Sequence, residues 1–156
     1  MRAFLLATLV ALAAVAPAPA FAGPGSSERR PASARARITV NVVHGTDAES
    51  GMDPKLSSSL ASQLRNFRYK GYRLLDSQSA DLAPGADTTF SIEGGRSLTV
   101  TLVEKDADHA RVRVEMTGKK GTILDTTVKV GRDSTFIVGG PKYKDGTLYL
   151  PLKVSY

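Results

Sequence analysis

From Thr88 to the end of the chain, apolar and polar residues alternate in short runs broken by glycine and aspartate. Thr88, Phe90 and Ile92 alternate up to Gly94-Gly95, and Leu98, Val100 and Leu102 alternate on the way back. Ala110, Val112, Val114 and Met116 share one side, while Arg111, Arg113 and Glu115 share the other. Leu124, Thr126, Val128 and Val130 repeat the pattern, as do Thr135 to Val138 and then Leu148, Leu150, Leu152 and Val154. A period of two is that of a β-strand with one buried face. Gly94-Gly95, Asp106-Ala107-Asp108, Gly118 to Gly121 and Asp145-Gly146 supply the turns between such strands. Antiparallel strands with one apolar side close on each other as a sandwich or partial barrel.

Upstream, Ile38, Val40 and Val42 describe one further strand. A helix is expected from Asp53, a good N-cap, with Pro54 in its first turn. Leu56, Leu60, Leu64 and Phe67 then form one apolar stripe, and Gly71 lies beyond the helix end. Tyr72 to Asp76 returns to strand. The expected class is α+β, mostly β: an N-terminal strand and one helix, then an antiparallel meander of about seven strands. The glycines and proline of Gly139-Gly140-Pro141 mark a bulge, a strand end or a close backbone approach. Pro151 has no N–H, which predicts that the last strand, carrying Leu148, Leu150, Leu152 and Val154, is an edge open to a partner.

The first residues are of another kind. Met1-Arg2 is followed by an apolar run from Phe4 to Val15, interrupted only by Thr8, and then by Ala20-Phe21-Ala22. This is the pattern of a cleaved export signal over residues 1–22, too short to span a bilayer. The remainder is expected to be a single domain, 38–156, behind a basic, disordered tail, 23–37, with no membrane span after cleavage. There is no cysteine, so packing rather than disulfides must hold the domain, and thiolate chemistry and lipid attachment through cysteine are excluded. The expected location is the periplasm or the extracellular medium.

The net charge of +6 is unevenly spread. Arg29, Arg30, Arg35 and Arg37 stand against Glu28 in the tail, while basic and acidic residues nearly cancel from Ile38 onward. Those four arginines are a candidate polyanion site; a solvated linker explains them as well. Nucleic acid is not expected as a partner, because no aromatic-basic platform accompanies the charge.

Residue chemistry narrows the field further. His44 and His109 are the only imidazoles and neither lies near a Gly-x-Ser-x-Gly elbow, so both are expected in turns or at the surface. No His or Cys spacing suits zinc or copper, and Asp106-x-Asp108 lacks the rest of a calcium loop, so no metal or other cofactor is expected. Most carboxylates fall in turns and there is no tryptophan, which disfavours carbohydrate hydrolysis. Arg65, Arg68, Tyr69, Lys70, Tyr72 and Arg73 alternate basic and aromatic character past the helix, a surface suited to an acidic or extended partner. Cations gathered at a helix C-terminus account for the same cluster without a partner. The expected function is a non-catalytic binding or structural module of the bacterial cell envelope, paired with another envelope protein or an acidic envelope polymer. The alternatives are a small hydrolase using a histidine with a carboxylate and a polyanion binder using the tail.

Overall fold

The computed structural model describes residues 35–156. The expected signal peptide, Arg29, Arg30 and most of the tail lie outside them. In chain order the elements are β1 (Ala36–Thr46), β2 (Gly51–Met52), α1 (Ser58–Leu64), β3 (Gly71–Leu82), β4 (Asp87–Ile92) and β5 (Arg96–Lys105), then β6 (His109–Gly118), β7 (Gly121–Gly131), β8 (Thr135–Tyr143) and β9 (Gly146–Ser155). They form two sheets, a five-stranded one in the order β2-β3-β1-β9-β8 and a four-stranded one in the order β4-β5-β6-β7. All pairs are antiparallel except the two-residue β2 against β3. The fold is therefore mostly β with one helix, two sheets face to face, and no closed barrel.

The alternation builds the core. Ile38, Val40 and Val42 of β1 and Leu148, Leu150, Leu152 and Val154 of β9 meet Leu98, Val100 and Leu102 of β5 and Val112, Val114 and Met116 of β6 in one buried cluster. A side chain of this size buried from water contributes about 1.5–3 kcal/mol relative to exposure, so this layer dominates the stability of the fold. A smaller cluster lies on the opposite face of the five-stranded sheet, where Leu56, Leu60 and Leu64 cover Val43, Tyr72 and Tyr149. Val42 and Val43 are both buried because adjacent strand residues serve these two cores in turn.

Where two apolar residues fall together, the strand bulges. The β1–β3 register skips Leu75, the β5–β6 register skips Val103 and the β6–β7 register skips Ile123. These three are among the few large apolar side chains left exposed. The extra residue of a bulge drops out of the pairing and the alternation resumes beyond it. Gly140-Pro141 makes the fourth irregularity, opposite Leu148. There a Cβ on Gly140 would lie 2.7 Å from the Leu148 carbonyl oxygen, the close approach its glycine allows.

Three expectations are corrected. The last strand is not an edge: β9 lies between β1 and β8, and Leu148, Leu150, Leu152 and Val154 are fully buried. Pro151 is accommodated because the β1–β9 ladder is interrupted between the Val40–Leu152 and Val43–Tyr149 pairs, at the residue with no N–H to give. The helix also starts one turn late. Asp53 accepts from the amides of Lys55 and Leu74, so its carboxylate is spent on a turn and on β3. Ser57 caps the helix instead, its Oγ accepting from the Leu60 amide at 3.3 Å. The strand likewise begins at Ala36, so Ala36 and Arg37 belong to the sheet rather than to the tail.

Candidate functional site

The chain between α1 and β3 crosses the outer face of the five-stranded sheet near the end of β1, and there the basic-aromatic cluster takes shape. Gly45 forms its floor. A Cβ on that residue would sit 2.9 Å from ring carbons of Tyr69 and Tyr149 and 3.1 Å from Tyr72. The Tyr149 ring lies 6.2 Å from Tyr69 and 6.0 Å from Tyr72, and Phe67 tilts over it at 4.7 Å. Edge-to-face and tilted arrangements at these distances are attractive because the ring edge is positive and the face negative.

The polar rim is ordered as well. The Tyr69 hydroxyl shares a 2.7 Å hydrogen bond with Thr147 Oγ1 and accepts from Arg68 Nη2 at 3.0 Å. The Arg68 guanidinium lies 5.0 Å from the Tyr69 ring centroid, within cation–π range. The bond to Thr147 and then the one from Arg68 hold the Tyr69 phenol below its usual range. Burial pushes Tyr72 and Tyr149 the other way.

The six residues of the cluster do not act together. Arg65 (the C-cap of α1), Arg68 and Lys70 are exposed and Tyr69 is half-buried, and no carboxylate forms an ion pair with Arg65, Arg68 or Lys70 among the described residues. Tyr72 is only 2% exposed and faces the α1 core, so it supports the surface from beneath and cannot contact a partner. Arg73 donates from Nε to Glu49 Oε2 at 2.8 Å and is consumed in that ion pair. Both corrections follow from β3: once the strand begins, neighbouring side chains leave on opposite faces. Phe67, 37% exposed, joins the surface although it continues the helix stripe. Thr147 and Tyr149 complete it from the far end of the chain, on the face of β9 opposite its buried leucines.

The histidines sit at opposite ends of the sandwich. His44 is buried, contrary to its expected exposure, beneath the β8–β9 turn and edge-on to Tyr143 at 5.5 Å. Its Nε2 lies 3.2 Å from the Tyr143 carbonyl oxygen and 3.6 Å from Asp145 Oδ1. A carbonyl can only accept, so a hydrogen bond to the Tyr143 oxygen is donated by Nε2. Thr46 Oγ1 donates to Asp145 Oδ2 at 2.6 Å, and this bond, with a backbone one, holds the Asp145 carboxyl below the ordinary range. The contacts of His44, Thr46 and Asp145 tie the end of β1 to the β8–β9 turn. His109 Nδ1 lies 3.9 Å from Asp106 Oδ1 beside a cleft of about 240 Å³ where Glu104 pairs with Arg111. Of the tail arginines, Arg35 is exposed, whereas Arg37 makes a two-pronged pair with Asp81 at 2.9 and 3.0 Å and is not available to a polyanion.

Among the described residues no group of three or more His, Asp or Glu is placed to hold a metal ion, and no helix is long and apolar enough to cross a membrane. No protein-family model, curated protein or solved structure matches the chain.

Proposed function

We propose that this chain is an exported, non-catalytic binding module of the bacterial cell envelope, free of a membrane span once its signal is cleaved. It acts in the periplasm or outside the cell. Its contact surface is the Phe67, Arg68 and Tyr69 cluster, backed by the buried Tyr149, with Arg65 and Lys70 at the rim, and its partner is another envelope protein or an acidic envelope polymer. The observation that carries this reading is Arg68, whose guanidinium lies against the Tyr69 ring with no carboxylate paired to it. An exposed apolar ring beside cations that form no direct ion pair, with Asp47 the nearby carboxylate, offers area and charge together, the composition of interface anchors. The partner needs no cofactor and is not nucleic acid.

The test is capture from an envelope fraction by the immobilised chain, with Phe67→Ser, Arg68→Glu and the histidine pair His44→Gln with His109→Gln in parallel. The reading expects the first two variants to lose the captured component and the histidine variant to keep it. Capture indifferent to Phe67 and Arg68 would overturn it. A hydrolytic activity in the wild type that vanishes with the histidines would favour the enzyme instead.

A further inference from the structure

At the end of the sandwich formed by the β4–β5, β6–β7 and β8–β9 turns lies a cleft of about 310 Å³ between the first two hairpin tips. Gly94, Arg96, Lys119, Lys120, Thr122 and Ile123 line it, with Gly118 and Gly121, and no acidic residue is among the lining. The neighbouring β8 and its turn add Lys142 and Lys144, against Glu93 and Asp145, and Asp145 is already engaged by Thr46.

Arg96 is seated rather than loose. Its Nη1 donates to the Glu93 carbonyl oxygen at 3.1 Å and its Nη2 approaches the Lys142 carbonyl oxygen at 3.5 Å. The head crosses Gly94, where any Cβ would collide with the guanidinium. The stem passes over Gly118, whose added Cβ would lie 3.7 Å from Arg96 Cγ and 2.9 Å from Ile123 Cδ1. Gly94 thus leaves room for the Arg96 head, and Gly118 leaves room for Ile123 beside the Arg96 stem. Gly94, with φ 84, also needs the left-handed conformation for its turn. A guanidinium has five donors, so the two carbonyls leave others unused by these bonds in a residue that lines the cleft.

We propose that this cleft binds a phosphate-class oxyanion, with Arg96 as the positioned fork and Lys119 and Lys120 as mobile point charges. Three cations without a carboxylate among the lining match a group that carries nearly two negative charges at neutral pH. Arginine supplies geometry and the lysines supply field, the division of labour of charge-assisted phosphate recognition. The cleft shares no residue with the Phe67–Tyr69 surface, so either can fail without the other. The phosphate can be a free ion or a lipid headgroup, and the two sources are separable by experiment.

The full chain, isotopically labelled, is titrated with inorganic pyrophosphate while backbone amide signals are followed. Saturable shifts are expected at Gly94, Gly95 and Lys119 to Gly121. Arg96→Gln and the double variant Lys119→Gln, Lys120→Gln are each expected to weaken binding about tenfold or more, the loss of a charge-assisted contact. Lys153→Gln, outside the cleft, is the control and is expected to bind as the wild type does. Vesicles of phosphatidylglycerol, compared with phosphatidylcholine, identify the source. Pelleting with the anionic vesicles alone, lost in the same variants, assigns a headgroup, whereas pyrophosphate shifts without pelleting assign a free or polymer-borne phosphate. Shifts spread evenly over surface lysines, binding unchanged by the cleft variants, or neither response would overturn the site.

Discussion

Where β5 turns into β6 and β7 into β8, aspartates hold the turns together. Asp106 Oδ1 accepts from the amides of Asp108 and His109, and the Asp108 carbonyl accepts from the Arg132 amide of the neighbouring turn. Where β4 turns into β5, β6 into β7 and β8 into β9, the turns are made by glycines and carry Arg96, Lys119, Lys120 and Lys144. The first end uses its charges internally. The second end seats Arg96 on two backbone carbonyls and leaves Lys119 and Lys120 exposed at its glycine turns. Lys144 sharpens the contrast, since it lies at φ 50, a left-handed conformation that Gly or Asn adopts at lower cost. Asp133, at φ 56 in the opposite end, is of a type that tolerates the same region.

Substitutions that separate shape from charge break or sharpen this contrast. The largest effect is expected at Gly146, where a Cβ would run into the Gly45 carbonyl oxygen and sit 2.9 Å from His44 Nε2. Gly146→Ala should lose about 2–3 kcal/mol in urea denaturation, the cost of overpacking. Gly139→Ala, with nothing within 4 Å of its Cβ, should lose almost nothing. A smaller and pH-dependent effect is expected at Asp106, whose carboxyl is held below the ordinary range by the Asp108 and His109 amides. That bonding favours the folded state above the unfolded carboxylate pKa of about 4 and is lost as pH falls through the lower folded value. Asp106→Asn should therefore be less stable at neutral pH, with the gap to wild type closing in acid. A gap that widened in acid would refute the assignment. The smallest effect has the opposite sign: Lys144→Asn should gain about 0.5–1 kcal/mol by relieving the left-handed lysine. A loss there would mean that Lys144 supports the fold after all.

The buried faces of β4, β5, β6 and β9 could be read directly from alternation, because burial on one side imposes a period of two. The period alone does not show where it slips: Leu75, Val103 and Ile123 each stand beside an apolar neighbour and are the unpaired residues of bulges. The interior place of β9 was hidden for a related reason, since a proline signals a missing donor and not which neighbour does without it. Helix entry was misplaced because Asp53 is drawn away by Leu74, a residue of the next strand. Arg68 and Tyr69 were visible as a surface because they are adjacent in sequence. Their support by Thr147 and Tyr149, and the convergence of Arg96 with Lys119 and Lys120, depend on strand pairing between distant segments, which local pattern does not encode.

One consequence of the sheet order concerns time. β1, the first strand, is paired along one side by β9, the last, with Arg37 opposite Ser155 and Gly45 opposite Thr147. The central seam of the five-stranded sheet therefore cannot close until β9 has been made. Pairings this distant in sequence make for slow folding, in the millisecond-to-second range typical of β-sandwiches. Until then β1 offers an unpaired, strongly apolar edge. An edge left open for that interval needs protection from pairing with other chains.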